Sequence, residues 1–298
     1  MIDGVLLLDK PAGISSNAAT QRVRRLLRAP KAGHVGSLDP LATGMLPICL
    51  GEATKLAGEV LEGAKVYRFS IRLGSRTSTG DAEGEIIESS PVPTLDLARI
   101  DAVLQTFHGP IQQVPPMYSA IKRGGRPLYE LARAGQTVER EARTIRIDAL
   151  SCLAVGVEEL DCRVECGKGT YVRVLAEDIA AALGTVGHVS SLRRERVDPF
   201  PSEAMISLPE LERRLDAGEA LPLLAPAAAV PQLPAVELEA EGARRLRLGQ
   251  QVSLASPSLP VGQRVRVMGP QGVFLGIGQV ASPGRLAPKR LVAASSSE

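Results

Sequence analysis

The sequence predicts a fold that mixes helices and strands in one large domain, with a small β-barrel module behind it. Three observations predict it. The chain has 298 residues and is 44% apolar, enough for one large core and a lesser one. Segments with helical and strand periods follow one another through its first two hundred residues. A stretch rich in Ala, Leu and Pro at 218–235, "GEALPLLAPAAAVPQLPA", then gives way to about sixty residues of short strands broken by Gly and Pro.

The chain opens on a strand at 5–8 and turns at "DKPAG" into a helix capped by Ser15 or Ser16. Ala19, Val23, Leu26 and Leu27 form that helix's apolar stripe. In "YRFSIRLG", Tyr67, Phe69, Ile71 and Leu73 alternate on one face of a strand. "TLDLARIDAVLQTFHG" reads as a helix with Leu97, Ile100, Val103, Leu104 and Phe107 inward, and Gly109 marks its stop. Residues 109–141, with their prolines, paired glycines and polar tail, read as a long excursion holding one short helix near 128–134. Strands follow around 144–153 and 160–166. "GKGTYVRVLAEDIAAALG" is then a turn into a helix with Leu175, Ile179 and Leu183 on one face and Gly184 at its end.

The formal charge of +2 excludes a histone-like polycation, so affinity for nucleic acid has to come from local patches. Residues 20–31 form one: Arg22, Arg24, Arg25, Arg28 and Lys31 occur there without an acid, although a solvated helix face explains such arginines equally well. The four cysteines (Cys49, Cys152, Cys162, Cys166) form no C-x-x-C pair and only three histidines exist, so zinc-ligand spacing is missing. Cys162 and Cys166 fit inward positions of the strand "LDCRVEC". "GVLLL" is halted by Asp9-Lys10-Pro11, too soon for a signal peptide, and no apolar run approaches a membrane span. The expectation is a cytoplasmic, reduced protein with no metal site and no membrane contact.

Two motifs imitate nucleotide sites. "GIGQVA" at 276–281 satisfies G-x-G-x-x-A, but Ser282-Pro283-Gly284 follows where the fingerprint needs a helix. "GKGT" at 167–170 lacks the leading glycine of a P-loop, and its lysine precedes Gly. Neither supports a nucleotide cofactor.

"GHVGSLDPLATGMLPICLGEATK" is different. Asp39 is the only carboxylate between Lys10 and Glu52, and Pro40 pushes it toward an extended backbone while glycines nearby permit close approach. Taken alone, Asp-Pro is a common turn. Arg173 adds weight, because it falls in the first turn of a helix, where the macrodipole disfavours a cation that no anion compensates. A lone aspartate in a loop in turn wants a partner to keep it ionised. Solvent could equally take the arginine.

"GSLDPLATGML" resembles the catalytic signature of the TruB family of pseudouridine synthases, the bacterial tRNA pseudouridine(55) synthases. "LLLDKPAGISSN", "AKVYRFSIRLGSRTSTGDAEG", "PPMYSAIKRGGRPLYELARAG", "CGKGTYVRVLAEDIAAALG" and "HVSSLRR" are similar to further family motifs, in the family's order along nearly the whole chain. The tail resembles a PUA domain more loosely.

The resemblance implies an α+β catalytic domain on a mixed sheet over residues 1–228, with an RNA-gripping insertion at about 109–143. A PUA-like RNA-binding β-barrel and tail would occupy 229–298. It implies cofactor-free isomerisation of uridine to pseudouridine in the T-loop of tRNA, by a single chain. Asp39 would be the nucleophile and Arg173 its ion-pair partner. Tyr67 would stack on the flipped uracil, Tyr171 and Leu192 would line the pocket, and His34 would contact the T-loop. Asp81 would sit in the loop approaching the base, with Lys10 and Pro11 supporting the active-site wall. Without the family, Tyr67 and Leu192 read as core, His34 as a loop histidine and Lys10 as a turn cap.

Two rivals stand beside this reading. An RNA-binding protein without turnover would use the basic helix and the β-barrel, but with 3% aromatics no RRM-like stacking platform is available. A glycoside hydrolase would need two carboxylates flanking the scissile bond, where this loop offers one.

Overall fold

A computed structural model describes residues 2–254 and 259–293 of the chain. The Ser-rich end at 294–298 lies outside the described residues, as does 255–258 within the expected β-barrel.

Ten strands form one sheet. Eight of them run in the order Ile206–Ser207, Gly4–Lys10, Thr43–Leu50, Gly187–Val197, Lys65–Leu73, Glu159–Cys166, Arg143–Val155 and Gly109–Gln113. Ala32–His34 and Leu223–Leu224 pair off this path. The first strand pairs parallel with Ile206–Ser207, and Gly187–Val197 pairs parallel with Thr43–Leu50. The remaining pairings are antiparallel, so the sheet is mixed.

Two of its inner strands, Thr43–Leu50 and Gly187–Val197, show no alternation in the sequence. "TGMLPICL" is buried from Gly44 to Leu50 on both faces, so it shows no alternation. Gly187–Val197 is rich in Ser and Arg, and its inward set includes the charged residue Arg194.

Helix Ser16–Leu26 starts as expected and resolves the choice of cap: the Ser15 side chain accepts from the Ala18 N–H. Ala19, Val23 and Leu27 are buried among Leu6, Leu8, Leu46 and Ile48, while Arg22, Arg24, Arg25 and Arg28 remain exposed. Helices Leu97–Gln105 and Val172–Ala182 add Ile100, Leu104, Leu175 and Ile179 to the core that Phe69 and Ile71 present. Leu97, expected inward, is 63% exposed because it is the first residue after the Asp96 cap, before the helix reaches the sheet.

The 109–141 excursion is partly anchored. Its first five residues are an edge strand, its paired glycines Gly124 and Gly125 turn a short hairpin at positive φ, and a helix spans Leu128–Arg133. The C-terminal residues form a separate five-stranded sheet ordered Ala235–Glu237, Arg264–Met268, Phe274–Ser282, Arg285–Leu291, Val252–Ser253. Helix Ala240–Arg247 interrupts what reads as all strand. Ala243 and Leu246, three residues apart, are its buried face, and the arginines around them had masked the period.

Candidate active site

Lys10 and the helix Ser16–Leu26 hold the Asp39 loop from one side. The Ser16 hydroxyl, 4% exposed, donates to the Leu38 carbonyl at 2.9 Å and accepts from the Leu38 N–H at 2.7 Å. On the other flank of the aspartate, the Pro40 carbonyl accepts from the Gly13 N–H at 2.9 Å and from Lys10 Nζ at 3.3 Å. The Ala42 N–H closes a turn on the Asp39 carbonyl at 3.1 Å. Asp39 therefore stands on backbone pinned immediately before and after it.

Arg173 meets it from the first turn of its helix. Nε lies 2.9 Å from Asp39 Oδ2, and Nη2 donates to Oδ1 at 3.2 Å, a two-point contact. The remaining donors reach the Thr79 carbonyl at 2.7 Å and the Tyr118 carbonyl at 2.7 Å, and Asp81 Oδ2 lies 3.6 Å from Nη1. Arg173 is 4% exposed and Asp81 3%. Asp81 is itself held by the Thr79 hydroxyl at 2.6 Å and the Glu83 N–H at 3.1 Å. The cation that the helix N-terminus disfavours is thus compensated by two carboxylates.

Burial pushes the Asp39 carboxyl above its ordinary value. Arg173 and Lys10 pull it back, while Asp81 adds to the rise. Lys10 has no exposed surface, and desolvation lowers its ammonium to about 8 against the pull of Asp39 and Glu83. Its Nζ donates to the Pro11 and Ile14 carbonyls, both at 2.8 Å, as well as to Pro40. Pro11 is exposed and contributes that carbonyl.

Tyr67 is partly buried against the large core, and burial raises its phenol; Asp39 raises it further and Arg194 opposes. Leu192, 7% exposed, lies across the strand pair from Phe69 and lines a cleft of about 550 Å³ together with Gly13, Leu41, Glu83 and Arg68. Asp39, Tyr67 and Arg173 do not line that cleft; Leu41 and Arg68, which do, stand two residues after Asp39 and next to Tyr67 in the chain. Tyr171 precedes the Arg173 helix, its ring under the Arg143 guanidinium at 5.8 Å. His34 spans Thr20 Oγ1 at 2.9 Å and Ser37 Oγ at 3.1 Å, and burial lowers its imidazole.

Three residues to which the sequence assigns no role at the site hold this arrangement. Ser16 pins Leu38. The Gln113 side chain pairs with both backbone groups of Tyr171, accepting from its N–H at 2.8 Å and donating to its carbonyl at 3.1 Å. Arg194 is fully buried against the Asp39 loop. A serine one residue past a cap leaves little sequence signal, and an arginine in a strand reads as a solvent-facing residue. Among the described residues, no three His, Cys, Asp or Glu stand together as a metal site, and no helix is long and apolar enough to cross a membrane.

Comparison with solved structures gives the class. The chain superposes with a TM-score of 0.73 and 25% identity on a structure described as a Cbf5-Nop10-Gar1 complex, covering 98% of this chain and 84% of the other. A second, described as an H/ACA RNP bound to a substrate RNA containing 2'-deoxyuridine, shares the fold at TM-score 0.76 and 22% identity, covering 98% and 86%. The fold is that of a pseudouridine synthase, an α+β mixed sheet with a PUA-like C-terminal sheet.

Sequence comparison gives the family. Residues 24–172 match the TruB family pseudouridylate synthase N-terminal domain, 173–224 the tRNA pseudouridylate synthase B C-terminal domain, and 234–292 the pseudouridine synthase II TruB C-terminal domain. The chain is 48% identical over 291 residues to the tRNA pseudouridine synthase B of Chromohalobacter salexigens, covering 98% of this chain and 94% of the relative. It is 49% identical over 295 residues to that of Burkholderia mallei, covering 98% and 97%. The chain belongs to the TruB family of pseudouridylate synthases and is an isomerase.

Proposed function

We propose that the enzyme converts uridine to pseudouridine at position 55 in the T-loop of tRNA, with Asp39 as the nucleophile. The observation that carries this is the Asp39–Arg173 pair: one carboxylate on a loop pinned at Leu38 and Pro40, met at two points by a buried guanidinium. Its relatives' names supply the tRNA.

The reaction breaks the N1–C1′ bond, forms C5–C1′, gives the C5 hydrogen up to solvent as a proton and leaves N1 protonated from solvent. Nothing is oxidised or reduced, and the composition of the nucleoside is unchanged. What the chemistry asks of a protein is a carboxylate that adds and departs, and a pocket from which water cannot intercept the detached base. Arg173 favours the ionised form of Asp39 against the desolvation that raises its carboxyl. Extruding the base costs a few kcal/mol, and stacking on Tyr67 returns about 1–3 kcal/mol of it.

In this reading Tyr171 and Leu192 wall the base, and His34 meets the T-loop from the mouth of the site. Asp81 orients Arg173, while Lys10 and Pro11 hold the loop. The T-stem-loop is the partner, bound by a single chain in the cytoplasm, with catalysis in 1–228 and the PUA-like part, 229–298, gripping RNA.

Asp39→Asn tests it. Tritium release from a uridine-labelled tRNA transcript should fall to background while tRNA binding persists. Turnover within about tenfold of wild type would remove Asp39 as nucleophile, since nucleophile loss costs orders of magnitude more.

A further inference from the structure

Arg194 is the bulkiest of the fully buried side chains among the described residues, 1% exposed. Strand alternation separates it from Arg193, which faces outward and forms a two-point pair with Asp9 at 2.9 and 3.0 Å. Arg194 takes part in none of the ion pairs among the described residues. Its partners are carbonyls: Nε donates to Met45 at 2.7 Å and Nη2 to Gly36 at 2.8 Å. A buried cation without a carboxylate is costly, and an apolar side chain of similar volume would usually serve stability as well or better. Something other than stability has to account for it.

Its two acceptors answer that. Gly36 and Met45 bracket the loop that carries Asp39, so one guanidinium braces both ends of it. Two glycines stand where the loop and the strand after it approach Arg194, one against its guanidinium and one against its backbone. A Cβ on Gly36, at φ +69°, would come within 3.1 Å of Arg194 Nη1, and one on Gly44, at φ +99°, within 2.2 Å of the Arg194 carbonyl oxygen. Through its backbone, Arg194 is also the register partner of Gly44 on one side and of Tyr67 on the other. Its charge acts on Tyr67, opposing the effect of burial on the phenol.

Resting on the roles proposed above for Asp39 and Tyr67, we infer that Arg194 is a positioning residue of the isomerisation. It ties the two ends of the Asp39 loop to the strand paired with that of Tyr67, and it holds a positive charge beside the stacking tyrosine. Removing it would let the loop open relative to the tyrosine without altering any surface that RNA touches first.

The test compares Arg194→Lys, Arg194→Gln and Arg194→Met in the full chain, with Asp39→Asn in parallel. Thermal melting, binding of tRNA transcript and single-turnover tritium release at saturating tRNA are read for each. Affinity should stay within about threefold for all three, which confines the effect to turnover. The Lys variant keeps the charge and one donor and should retain most of the rate; Gln and Met should lose roughly 100-fold, the scale of an ångström-sized misplacement. Equal rates for Lys and Gln, or a rate loss that merely tracks the folded fraction, would overturn the inference. Should Met not fold, Lys against Gln decides; should Gln not fold either, Arg194 is a folding element and the inference falls. An active Asp39→Asn would instead overturn the reading of the site, whereas an inactive one beside a fully active Arg194→Gln would leave that reading standing and remove this inference alone.

Discussion

Replacing Ser16 by Ala isolates how far loop anchoring matters to turnover. The hydroxyl makes two buried hydrogen bonds, to the carbonyl and from the N–H of Leu38, the residue before Asp39. Each contributes about 0.5–1.5 kcal/mol net, and leaving a buried peptide group unpaired raises the cost. Alanine's better helix propensity returns only a few tenths of a kcal/mol. A loss of about 2–3 kcal/mol is expected, which for a chain of this size lowers the melting temperature by roughly 3–5 °C. Leu38 would be free while Pro40 stays held by Gly13 and Lys10, so the carboxylate should swing about one fixed end. The single-turnover rate should drop roughly 10- to 100-fold at saturating tRNA. Ser15→Ala is the control: it removes the cap bond to Ala18 at 3.1 Å, costs about 1 kcal/mol, and touches nothing in the loop. It should lower the melting temperature and leave the rate alone. A wild-type rate in Ser16→Ala, or an equal loss in Ser15→Ala, would refute the reasoning.

Tyr67→Phe should keep stacking and lose only what the hydroxyl supplies, whereas Tyr67→Ala should lose both; two variants with wild-type single-turnover rates would make Tyr67 ordinary core. Lys10 sits near 8, below its ordinary 10.5, so it is charged at neutral pH and sheds one of three hydrogens as pH rises through 8. The wild-type rate should therefore fall on the alkaline side, and Lys10→Met should be slower throughout with that limb missing; a persisting limb would assign it to another group. Because the unfolded chain would hold that proton up to 10.5, the same shift makes stability rise with pH between 8 and 10.5, a slope that pH-dependent melting of Lys10→Met should lack.

What was legible in the sequence were segments whose chemistry and period agree. Phe69, Ile71, Ile100, Leu104, Leu175 and Ile179 follow their periods into one core. Asp39 and Arg173, 134 residues apart, stood out because each was anomalous where it lay, a lone acid in a loop and a cation at a helix N-terminus. Two adjacent inner strands are illegible for opposite reasons. Thr43–Leu50 is apolar on both faces, and Gly187–Val197 hides a buried arginine in its inward phase. Ser16 and Gln113 act on backbone far away in sequence, at Leu38 and Tyr171, and no local pattern encodes such a partner.

The seam at 218–235 shows how composition can mislead about independence. It suggests that the tail can be removed with little effect on the rest. Yet Phe274, Ile277 and Val292 pack in the same buried cluster as Val5, Leu7, Cys49 and Leu56. Polar contacts reinforce the join: Lys55 Nζ donates to the Leu291 carbonyl at 3.1 Å, the Ala293 N–H donates to Glu52 at 2.6 Å, and Arg264 pairs with Glu59. Deleting residues 234–298 would expose apolar surface beneath the first strand, which lies beside the Thr43–Leu50 strand that leaves the Asp39 loop. At about 1.5–3 kcal/mol for each apolar side chain lost from the cluster, the remaining domain should be destabilised by on the order of 5 kcal/mol. RNA affinity should also fall and its salt dependence flatten, because exposed Arg245, Lys289 and Arg290 go with the tail. Melting, salt-dependent binding and single-turnover rate on the truncated protein separate these effects. A fragment that melts like the full chain would show that the shared cluster contributes little. One that folds and saturates with tRNA yet turns over slowly would show that the tail reaches the Asp39 loop through those two strands.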